Sequence, residues 1–443
     1  MRVTWIQNED LIGHELRQAR EEGKDVDAIE ARWRAAGGAD APARGASPGP
    51  ASPELRALAL ELIDEVAALP RPLAEDEPED FDADAVPARP APPRDELEAR
   101  IRGAWLGRAA GCVLGKPVEG IPREGIRELL EASGRWPLTG YFSARGVPDD
   151  VSERWPWNRA SRPTSLAENI DGVPEDDDLN FTMLAVALLE RAGTLFTSLD
   201  VAKIWLDFLP PGRVFTAERV AMRNLLLALL PPQTATYRNP FREWIGARLR
   251  VDVYGWASPG DPVAAARMAQ EDARVSHTAN GIYAAMFMAA AHAWSLVDSS
   301  AAAAADTGLS VVPGRSRLAA AIRGARDLVA DGLEWEGVVD ELYARHGSLH
   351  WVHAINNTAL VAAAMYAFDD FDSAVCGVVQ GGWDTDTNGA AVGSIFGALG
   401  PIAPRWTEPL RGRIDSSLPG FDKVAIDELA RRTLDVVPVA APA

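Results

Sequence analysis

Residues 381–389 read Gly-Gly-Trp-Asp-Thr-Asp-Thr-Asn-Gly, and an apolar segment of small residues follows them. In that segment Gly389, Gly393 and Gly397 recur at every fourth position. This spacing places the glycines on one face of a helix, where a neighbouring backbone is able to approach closely. The same repeat occurs in membrane helices, but the stretch from Gly389 to Gly400 is too short to span a bilayer. We therefore predict a close-packed interior helix directly after an acidic motif.

A second stretch with the same glycine spacing covers residues 103–119, Gly-Ala-Trp-Leu-Gly-Arg-Ala-Ala-Gly-Cys-Val-Leu-Gly-Lys-Pro-Val-Glu. Its glycines again predict a helix that packs closely against a neighbour. The stretch ends on Glu119. Taken alone, this residue would be read as an ordinary loop acid, because glutamate is usually exposed.

Two clusters of oxygen-bearing side chains each stand at the expected start of an apolar helix. The first is Glu-Asp-Asp-Asp at residues 175–178, and the second supplies Asp384, Asp386 and Thr387. Helix N-termini tolerate negative charge and Asp is a common N-cap, so capping is an alternative for the first cluster. The second cluster is larger than a cap requires. Dense carboxylates repel one another unless a cation lies among them, and oxygen ligands without His or Cys favour Mg²⁺, Mn²⁺ or Ca²⁺ over Zn²⁺.

The composition disfavours several classes of partner. The 443 residues carry a formal charge of −20, which argues against a nucleic-acid surface or an anionic membrane surface. The cysteines are Cys112 and Cys376, too few for a disulfide scaffold, and the N-terminus lacks the apolar core of a signal peptide. The longest apolar run, residues 281–297, predicts a buried helix. We expect a cytoplasmic protein with no membrane segment and no nucleic-acid partner.

Helical periodicity dominates the chain, and alternating β-type patterns are nearly missing. We predict an all-α fold with a large multi-helix domain over residues 98–443. Residues 1–36 are predicted to be an N-terminal helical segment, and residues 37–97 a Pro/Ala-rich linker with one helix at 53–69. Residues 299–316 are predicted to form a surface loop, because Gly, Pro and Asp interrupt their Ala-rich pattern.

Three motifs, at residues 111–119, 176–178 and 382–387, resemble in order and spacing those of the ADP-ribosylglycohydrolase family, in particular its bacterial branch of dinitrogenase reductase-activating glycohydrolases. The resemblance covers roughly residues 98–410. It implies an all-α fold, a site for two Mg²⁺ ions, with Mn²⁺ as an alternative, and hydrolysis of the bond to the anomeric carbon of ADP-ribose. The implied metal ligands are Glu119, Asp176, Asp177, Asp178, Asp384, Asp386 and Thr387, and the implied catalytic residues are Glu119, Asp177 and Asp384.

Two positions depart from the pattern of that family. Cys112 stands where the first motif usually has Asp, and Asp176 stands where the middle motif usually has Thr. The change at Asp176 keeps an oxygen ligand and adds a charge, so we expect metal affinity or preference to differ. The change at Cys112 removes a carboxylate. If that acid normally supports the site from behind the ligands, its loss slows turnover or shifts substrate choice.

Several other residues are candidates for substrate contacts. Residues 244–250 with the glycine that follows them are similar to a family loop that lines the ADP-ribose cleft, and a family histidine after a helix has its counterpart here. The substrate-binding candidates are Gly246, Ala247, Gly255, His277 and Trp383, the last because an indole in the acidic motif would stack on a sugar or base. A structural role is the alternative for each: a helix end, a buried histidine or a core tryptophan. A polar and aromatic cluster at residues 351–357 would either line the cleft or cap a helix.

The expected activity is metal-dependent release of ADP-ribose, with an ADP-ribosylated protein or a small ADP-ribosyl molecule as the partner. Two alternatives stay open: hydrolysis of a small ribosyl glycoside or nucleotide, and a non-catalytic protein that binds ADP-ribose or has a structural role. Glu119 is the expected carboxylate near the leaving group, and the roles of acid, base and ligand are not separated by the sequence. The region before residue 95 is expected to be dispensable for chemistry, because the motifs begin after it.

Overall fold

The computed structural model describes residues 2–80, 83 and 86–438 of the chain. Its regular secondary structure is helical apart from one short pair of strands within the described residues, and this confirms the all-α prediction. The N-terminal helices are α1 (Asn8–Glu21), α2 (Asp27–Ala35) and α3 (Pro53–Ala67). The middle of the chain forms α4 (Arg94–Gly115), α5 (Arg123–Ala132), α6 (Asp149–Arg154), α7 (Arg162–Ser165), α8 (Asp177–Ala192), α9 (Ser198–Phe208), α10 (Thr216–Leu226), α11 (Gln233–Thr236), α12 (Asp252–Trp256), α13 (Pro262–Ala273) and α14 (Ala279–Ser295).

The last third of the chain continues the helical pattern. It forms α15 (Ala301–Ser310), α16 (Arg317–Ala330), α17 (Trp335–His346), α18 (Ala354–Ala367), α19 (Phe371–Gln380), α20 (Thr385–Leu399), α21 (Pro404–Thr407) and α22 (Ile426–Asp435). Short 3₁₀ helices cover Lys116–Val118, Pro211–Arg213, Ile245–Arg250 and Glu408–Leu410. The strands β1 (Arg413–Ile414) and β2 (Val424–Ala425) pair antiparallel.

Helices α4 and α20 lie against each other along their rows of glycine. The contacting pairs are Gly103–Gly397, Gly107–Gly393, Gly111–Gly389 and Gly115–Thr385. A Cβ atom added to any of the four α4 glycines would overlap a backbone atom of α20, so a larger residue would force the helices apart. The order of the pairs is antiparallel. The C-terminal end of α4 therefore meets the N-terminal end of α20, and the residues beyond both ends are brought together.

Helices α14 and α18 lie in the centre of the core. All residues of α14 are buried, including His292, and twelve residues of α18 are buried from Ala354 to Met365. A helix that is apolar on every side is expected to be surrounded by other helices. The prediction of a buried helix over residues 281–297 is confirmed.

Helices α1 to α3 pack against the larger domain and do not extend away from it. Leu11, Leu16 and Trp33 share one buried apolar cluster with Phe241 and Trp244, which lie between α11 and the 3₁₀ helix at Ile245–Arg250. Burial of this apolar area favours the docked arrangement. The region before residue 95 is therefore packed on the larger domain, and its being dispensable for chemistry stays a prediction.

Buried charges reinforce the same contact. The Arg242 guanidinium forms ion pairs with Glu15 at 2.8 Å and with Glu22 at 2.7 Å, both from α1 and its end. The fully buried Glu243 accepts a hydrogen bond from the Gln18 amide at 2.8 Å. Buried charges need such partners, because an unpaired one is costly in the protein interior.

The segment predicted as a surface loop contains a helix. Ala301–Ser310 form α15, and Ser300 caps it by accepting a hydrogen bond from the Ala303 amide at 3.1 Å. Gly308 packs against the Phe287 carbonyl of α14. The loop prediction was wrong because alanine favours a helix strongly, and the glycine read as a breaker is needed for close packing.

Within the described part of the chain, the search for a helix with the length and apolar character of a bilayer span finds no candidate.

Candidate metal centre

The contact between α4 and α20 creates the first half of an acidic centre. The chain leaves α4 at Gly115 and reaches Glu119 one 3₁₀ turn later, while Asp384 and Asp386 stand at the start of α20. The Thr385 hydroxyl donates a hydrogen bond to the Gly115 carbonyl at 2.8 Å, which fixes the two helix ends together. Glu119, Asp384 and Asp386 consequently place carboxylate oxygens within 4.8 Å of one another.

The start of α8 supplies the second half. Asp176, Asp177 and Asp178 also place carboxylate oxygens within 4.8 Å of one another. Asp176 is the N-cap, because its carboxylate accepts a hydrogen bond from the Asp178 amide at 2.9 Å. Capping, the alternative role considered from the sequence, therefore accounts for one carboxylate oxygen of the cluster, Oδ1 of Asp176. The Asp177 carboxylate forms no hydrogen bond with any residue that the structure describes.

Thr387 joins the two halves. Its hydroxyl donates a hydrogen bond to the Asp178 carboxylate at 3.1 Å, across a separation of 209 positions in the sequence. The seven positions predicted as metal ligands all line one cleft of about 440 Å³. Six carboxylates and a hydroxyl are the donors that Mg²⁺, Mn²⁺ and Ca²⁺ prefer, so the residues present fit a hard divalent cation.

The pKa values of these carboxyl groups reflect their burial and mutual repulsion. Burial, followed by the charges of Asp386 and Asp176, raises the pKa of Glu119 to about 8. Burial and the neighbouring carboxylates also raise the pKa of Asp177, Asp178 and Asp384 well above the ordinary range for an aspartate. A site in which so many acids resist ionisation is one in which a cation would be stabilising.

Asp176, the residue at the unusual second position, is neutralised inside the protein. Its carboxylate forms an ion pair with the Lys116 ammonium, which also donates a hydrogen bond to the Glu175 carbonyl at 3.1 Å. Burial opposes the ionised form of Asp176, but the Lys116 charge and the hydrogen bonds lower its pKa below the ordinary value. The extra negative charge expected from the sequence therefore has a resident counter-charge. Cys112, the other unusual position, is fully buried, and burial raises the pKa of its thiol.

A layer of buried polar residues holds the acidic clusters from behind. The Arg108 guanidinium of α4 donates to the Asp178 carbonyl at 2.8 Å and to the Asp252 carboxylate at 2.8 Å. Asp252 also pairs with His292 of α14 at 3.1 Å. Sequence reasoning missed this layer. Arg108 lies within the glycine-rich motif, where an arginine among small apolar residues was the available signal.

A similar network supports the start of α20. The Asn357 side-chain oxygen accepts hydrogen bonds from the Asp384 amide at 3.1 Å and from the Asn388 side chain at 2.7 Å. Arg248 in turn donates to the Asn388 side chain at 2.6 Å, and burial lowers the pKa of Arg248 to about 10. Trp351 lines the cleft, whereas His353 caps α18 by accepting from the Ile355 amide at 3.2 Å. In the polar and aromatic cluster at residues 351–357, one residue therefore lines the cleft and another caps a helix, which are the two roles considered from the sequence.

The substrate-binding candidates divide into one residue in the cleft and four outside its lining. Gly246 lines the cleft beside Glu218. Ala247 is fully buried, and Gly255 packs against the Ala289 carbonyl of α14. Both residues pack in the protein interior and do not line the cleft.

His277 and Trp383 are also held away from the cleft. His277 is buried and hydrogen-bonded to the Ser276 hydroxyl at 2.8 Å, behind Glu218, which is 4.0 Å from the imidazole. Trp383 adopts a φ of 57°, and its indole stacks on the Tyr343 ring with the centroids 4.3 Å apart. The surroundings of the two residues match the structural alternatives, a buried histidine for His277 and a core tryptophan for Trp383.

Comparison with known proteins relates the chain to one protein family. The sequence profile of the family described as ADP-ribosylglycohydrolase matches residues 93–442. An uncharacterized protein of Archaeoglobus fulgidus is 27% identical over 324 residues, which are 72% of this chain and 93% of that protein. A solved structure described as an ADP-ribosylglycohydrolase-related protein complex covers 77% of this chain and 98% of its own, with 20% identity and a TM-score of 0.46. On the match to residues 93–442, this chain belongs to the ADP-ribosylglycohydrolase family.

Proposed function

We propose that the protein is a divalent-metal-dependent glycohydrolase that releases ADP-ribose from an ADP-ribosylated protein or from a related ADP-ribosyl molecule. Family membership supports glycohydrolase chemistry in general. The observation that carries the finer proposal is the pair of carboxylate clusters that meet in one cleft, one formed by Glu119, Asp384 and Asp386 and the other by Asp176, Asp177 and Asp178. Mutually repelling buried acids are costly unless a cation lies among them, so these clusters support the metal requirement of the proposed activity.

The ligands of the proposed metal pair are drawn from both clusters. Two Mg²⁺ or Mn²⁺ ions would be held by Asp177, whose carboxylate has no hydrogen-bond partner among the described residues, and by Asp178, Asp384, Asp386 and Thr387. Asp176 would contribute less than its neighbours, because its two oxygens already meet Lys116 and the Asp178 amide. When bound, the ions would orient the ribose hydroxyls and a water molecule and would lower the pKa of that water.

Glu119 is the residue proposed to handle the proton of the leaving group. The Asn158 amide donates a hydrogen bond to Glu119 Oε2 at 2.9 Å, which orients the carboxyl group and leaves Oε1 open to the cleft. Its raised pKa of about 8 means that Oε1 would carry a proton near neutral pH and could donate it as the glycosidic bond breaks. The surrounding negative charge would stabilise the oxocarbenium-like sugar in the transition state.

Activity against a panel of substrates tests the proposal. ADP-ribosyl-arginine, ADP-ribosyl-serine and a simple riboside would be incubated with the full chain, with Mg²⁺ and with a chelator in parallel. We expect ADP-ribose release from at least one ADP-ribosyl substrate, and its loss in the chelator. Release that persists in the chelator would contradict the metal requirement. Cleavage of the riboside alone would favour the alternative of a small-glycoside hydrolase, and no release from any substrate would favour a binding protein.

A further inference from the structure

One wall of the cleft comes from outside the family-matched region. Trp5 and Arg44 line the cleft, although the family profile begins at residue 93. We call these two residues the N-terminal wall. The Trp5 amide donates a hydrogen bond to the Gly45 carbonyl at 3.3 Å, and the Arg219 guanidinium of α10 donates to the Thr4 carbonyl at 3.2 Å. The N-terminal wall is therefore fixed both internally and to the main domain.

The backbone of Trp5 supports a positioned role. Its φ is 66°, in the left-handed region that a bulky residue rarely adopts. Such a conformation persists only when the surrounding contacts hold it. The Trp5 indole lies edge-on to the Phe241 and Trp244 rings, with centroid distances of 5.6 and 6.0 Å. Trp244 lines the same cleft and is buried, so it supports Trp5 from one side.

The charges of the cleft single out Arg44. The cations that line the cleft are Arg44, Lys116 and Arg213. Lys116 is paired with Asp176, and Arg213 is paired with Glu175 at 3.2 Å. Arg44 forms no salt bridge with any residue that the structure describes. Its guanidinium donates to the Gly120 carbonyl, which follows Glu119, and lies 5.5 Å from the centroid of the Trp351 ring.

A second unsatisfied donor lies beside it. The Trp351 indole nitrogen is buried and has no hydrogen-bond partner within the described part of the protein. A guanidinium has five N–H donors, so one bond to a carbonyl leaves others open. The carboxylates at the base of the cleft would repel an anionic group, so such a group would bind nearer to Arg44. Arginine recognises phosphate oxygens well, and an aromatic side chain suits the flat face of a base.

We propose that the N-terminal wall is a substrate-recognition element of this chain, in which Arg44 binds the diphosphate of an ADP-ribosyl substrate and Trp5 packs on its nucleoside. The inference rests on the proposed function, because it assumes that the ribose end of the substrate enters the acidic centre. It assigns to the region before residue 93 a direct part in substrate selection.

Binding measurements on the full chain with Mg²⁺ test the role of Arg44. ADP-ribose and ribose 5-phosphate would be titrated into the parent protein, Arg44→Met, Arg44→Lys and the control Arg32→Met. Arg32 is an exposed arginine of α2 that pairs with Glu61 at 3.0 Å and does not line the cleft. We expect Arg44→Met to bind both ligands at least about tenfold more weakly, Arg44→Lys to lose less, and Arg32→Met to match the parent. With substrate, KM should rise in Arg44→Met by a larger factor than kcat falls.

The role of Trp5 is tested by comparing the same two ligands. Trp5→Ala should weaken the binding of ADP-ribose, which has a nucleoside, and leave that of ribose 5-phosphate nearly unchanged. Equal effects on both ligands would overturn the role of Trp5. Unchanged ADP-ribose affinity in Arg44→Met would overturn the role of Arg44 while leaving the proposed function intact. Failure of the parent protein to bind ADP-ribose would overturn both proposals, and thermal melting of each variant would show that it is folded.

Discussion

At the scale of single residues, a substitution of Glu119 tests the proposed chemistry most directly. Glu119→Gln preserves the size of the side chain and its contact with Asn158, but the amide is unable to carry and release a proton. We expect turnover to fall by about 10²–10⁴-fold, the usual contribution of a general acid or base, while ADP-ribose binding is kept. Single-turnover kinetics and calorimetry would measure the two properties separately. A variant as fast as the parent would remove Glu119 from the mechanism.

The raised pKa values of the acidic centre predict that metal binding depends on pH. Asp177 and Asp384, which are proposed as metal ligands, have pKa values well above the ordinary range, so the protonated forms are favoured when no cation is bound. A divalent ion must displace those protons, so its affinity should rise as the pH increases. Calorimetry at neutral pH in two buffers of different ionisation enthalpy would detect the released protons. An affinity that is independent of pH, with no proton release, would contradict this account.

The sequence predicted the acidic residues of the centre better than the residues around them. Asp384, Asp386 and Thr387 stand together in the chain, so their shared location is visible as a motif. The partners that support them come from distant segments, such as Arg108 and Asn357, and a polar residue in an apolar helix does not indicate what it contacts. The sequence alone leaves Trp383 with two roles, stacking on substrate or packing in the core, and it does not show that the backbone is left-handed there or that the indole stacks on Tyr343.

At the scale of elements, the contact between α4 and α20 positions the centre, and Gly107 tests it. A methyl group at Gly107 would overlap the Gly393 carbonyl oxygen, so Gly107→Ala should force the helices apart. We expect a loss of about 3 kcal/mol or more in the free energy of unfolding, at the upper end for overpacked cores. Weaker metal binding should accompany it, because Glu119 would move away from Asp384. Chemical denaturation and calorimetry would measure the two effects.

A glycine in a different helix provides the matched control. Gly337 of α17 has its nearest side-chain neighbour, Leu333, 3.8 Å from the position of an added Cβ. Gly337→Ala should therefore be neutral or stabilising by about 0.4–1 kcal/mol, because alanine restricts the unfolded chain and favours a helix. Equal effects of the two substitutions would show that the α4–α20 contact tolerates separation.

The glycine helices were predictable because a spacing of four is written in the sequence itself. The prediction of a surface loop was wrong for residues 301–310, because the Gly and Asp residues of this segment were given more weight than the helix propensity of its alanines. Gly308 looks the same in sequence whether it ends a helix or allows a close contact, and only the position of Phe287 decides between the two.

At the scale of the whole molecule, the N-terminal helices are part of the folded unit. A chain that starts at residue 95 would leave Arg242 and Glu243 without Glu15, Glu22 and Gln18, and would expose the apolar surface around Phe241. Removing one partner of a buried ion pair costs about 3–5 kcal/mol, so we expect the shortened chain to be strongly destabilised. Circular dichroism and thermal melting would measure this. A shortened chain as stable as the parent would support the prediction that the region is dispensable.

This docking was not predictable from the sequence. The periodicity of residues 1–36 indicates helices with one apolar face, but it does not indicate which surface covers that face. The Pro-rich segment that follows resembles a linker, and its Arg44 carries no signal that would place it beside Gly120. The docking is determined by contacts between residues far apart in the chain, such as Arg242 with Glu15 and Glu22.

The central claim is that the clusters at residues 176–178 and 384–387, together with Glu119, form one centre for divalent cations. Calorimetric titration of Mn²⁺ or Mg²⁺ into the metal-free full chain tests it most directly, with Asp384→Asn and the control Asp64→Asn titrated in parallel. Asp64 is an exposed residue of α3 that pairs with Arg238 at 2.6 Å and does not line the cleft. The account predicts two ions per chain in the parent and the control, and a loss of affinity of at least about tenfold in Asp384→Asn, which removes one ligand charge. Absence of binding in the parent, or unchanged affinity in Asp384→Asn, would contradict it.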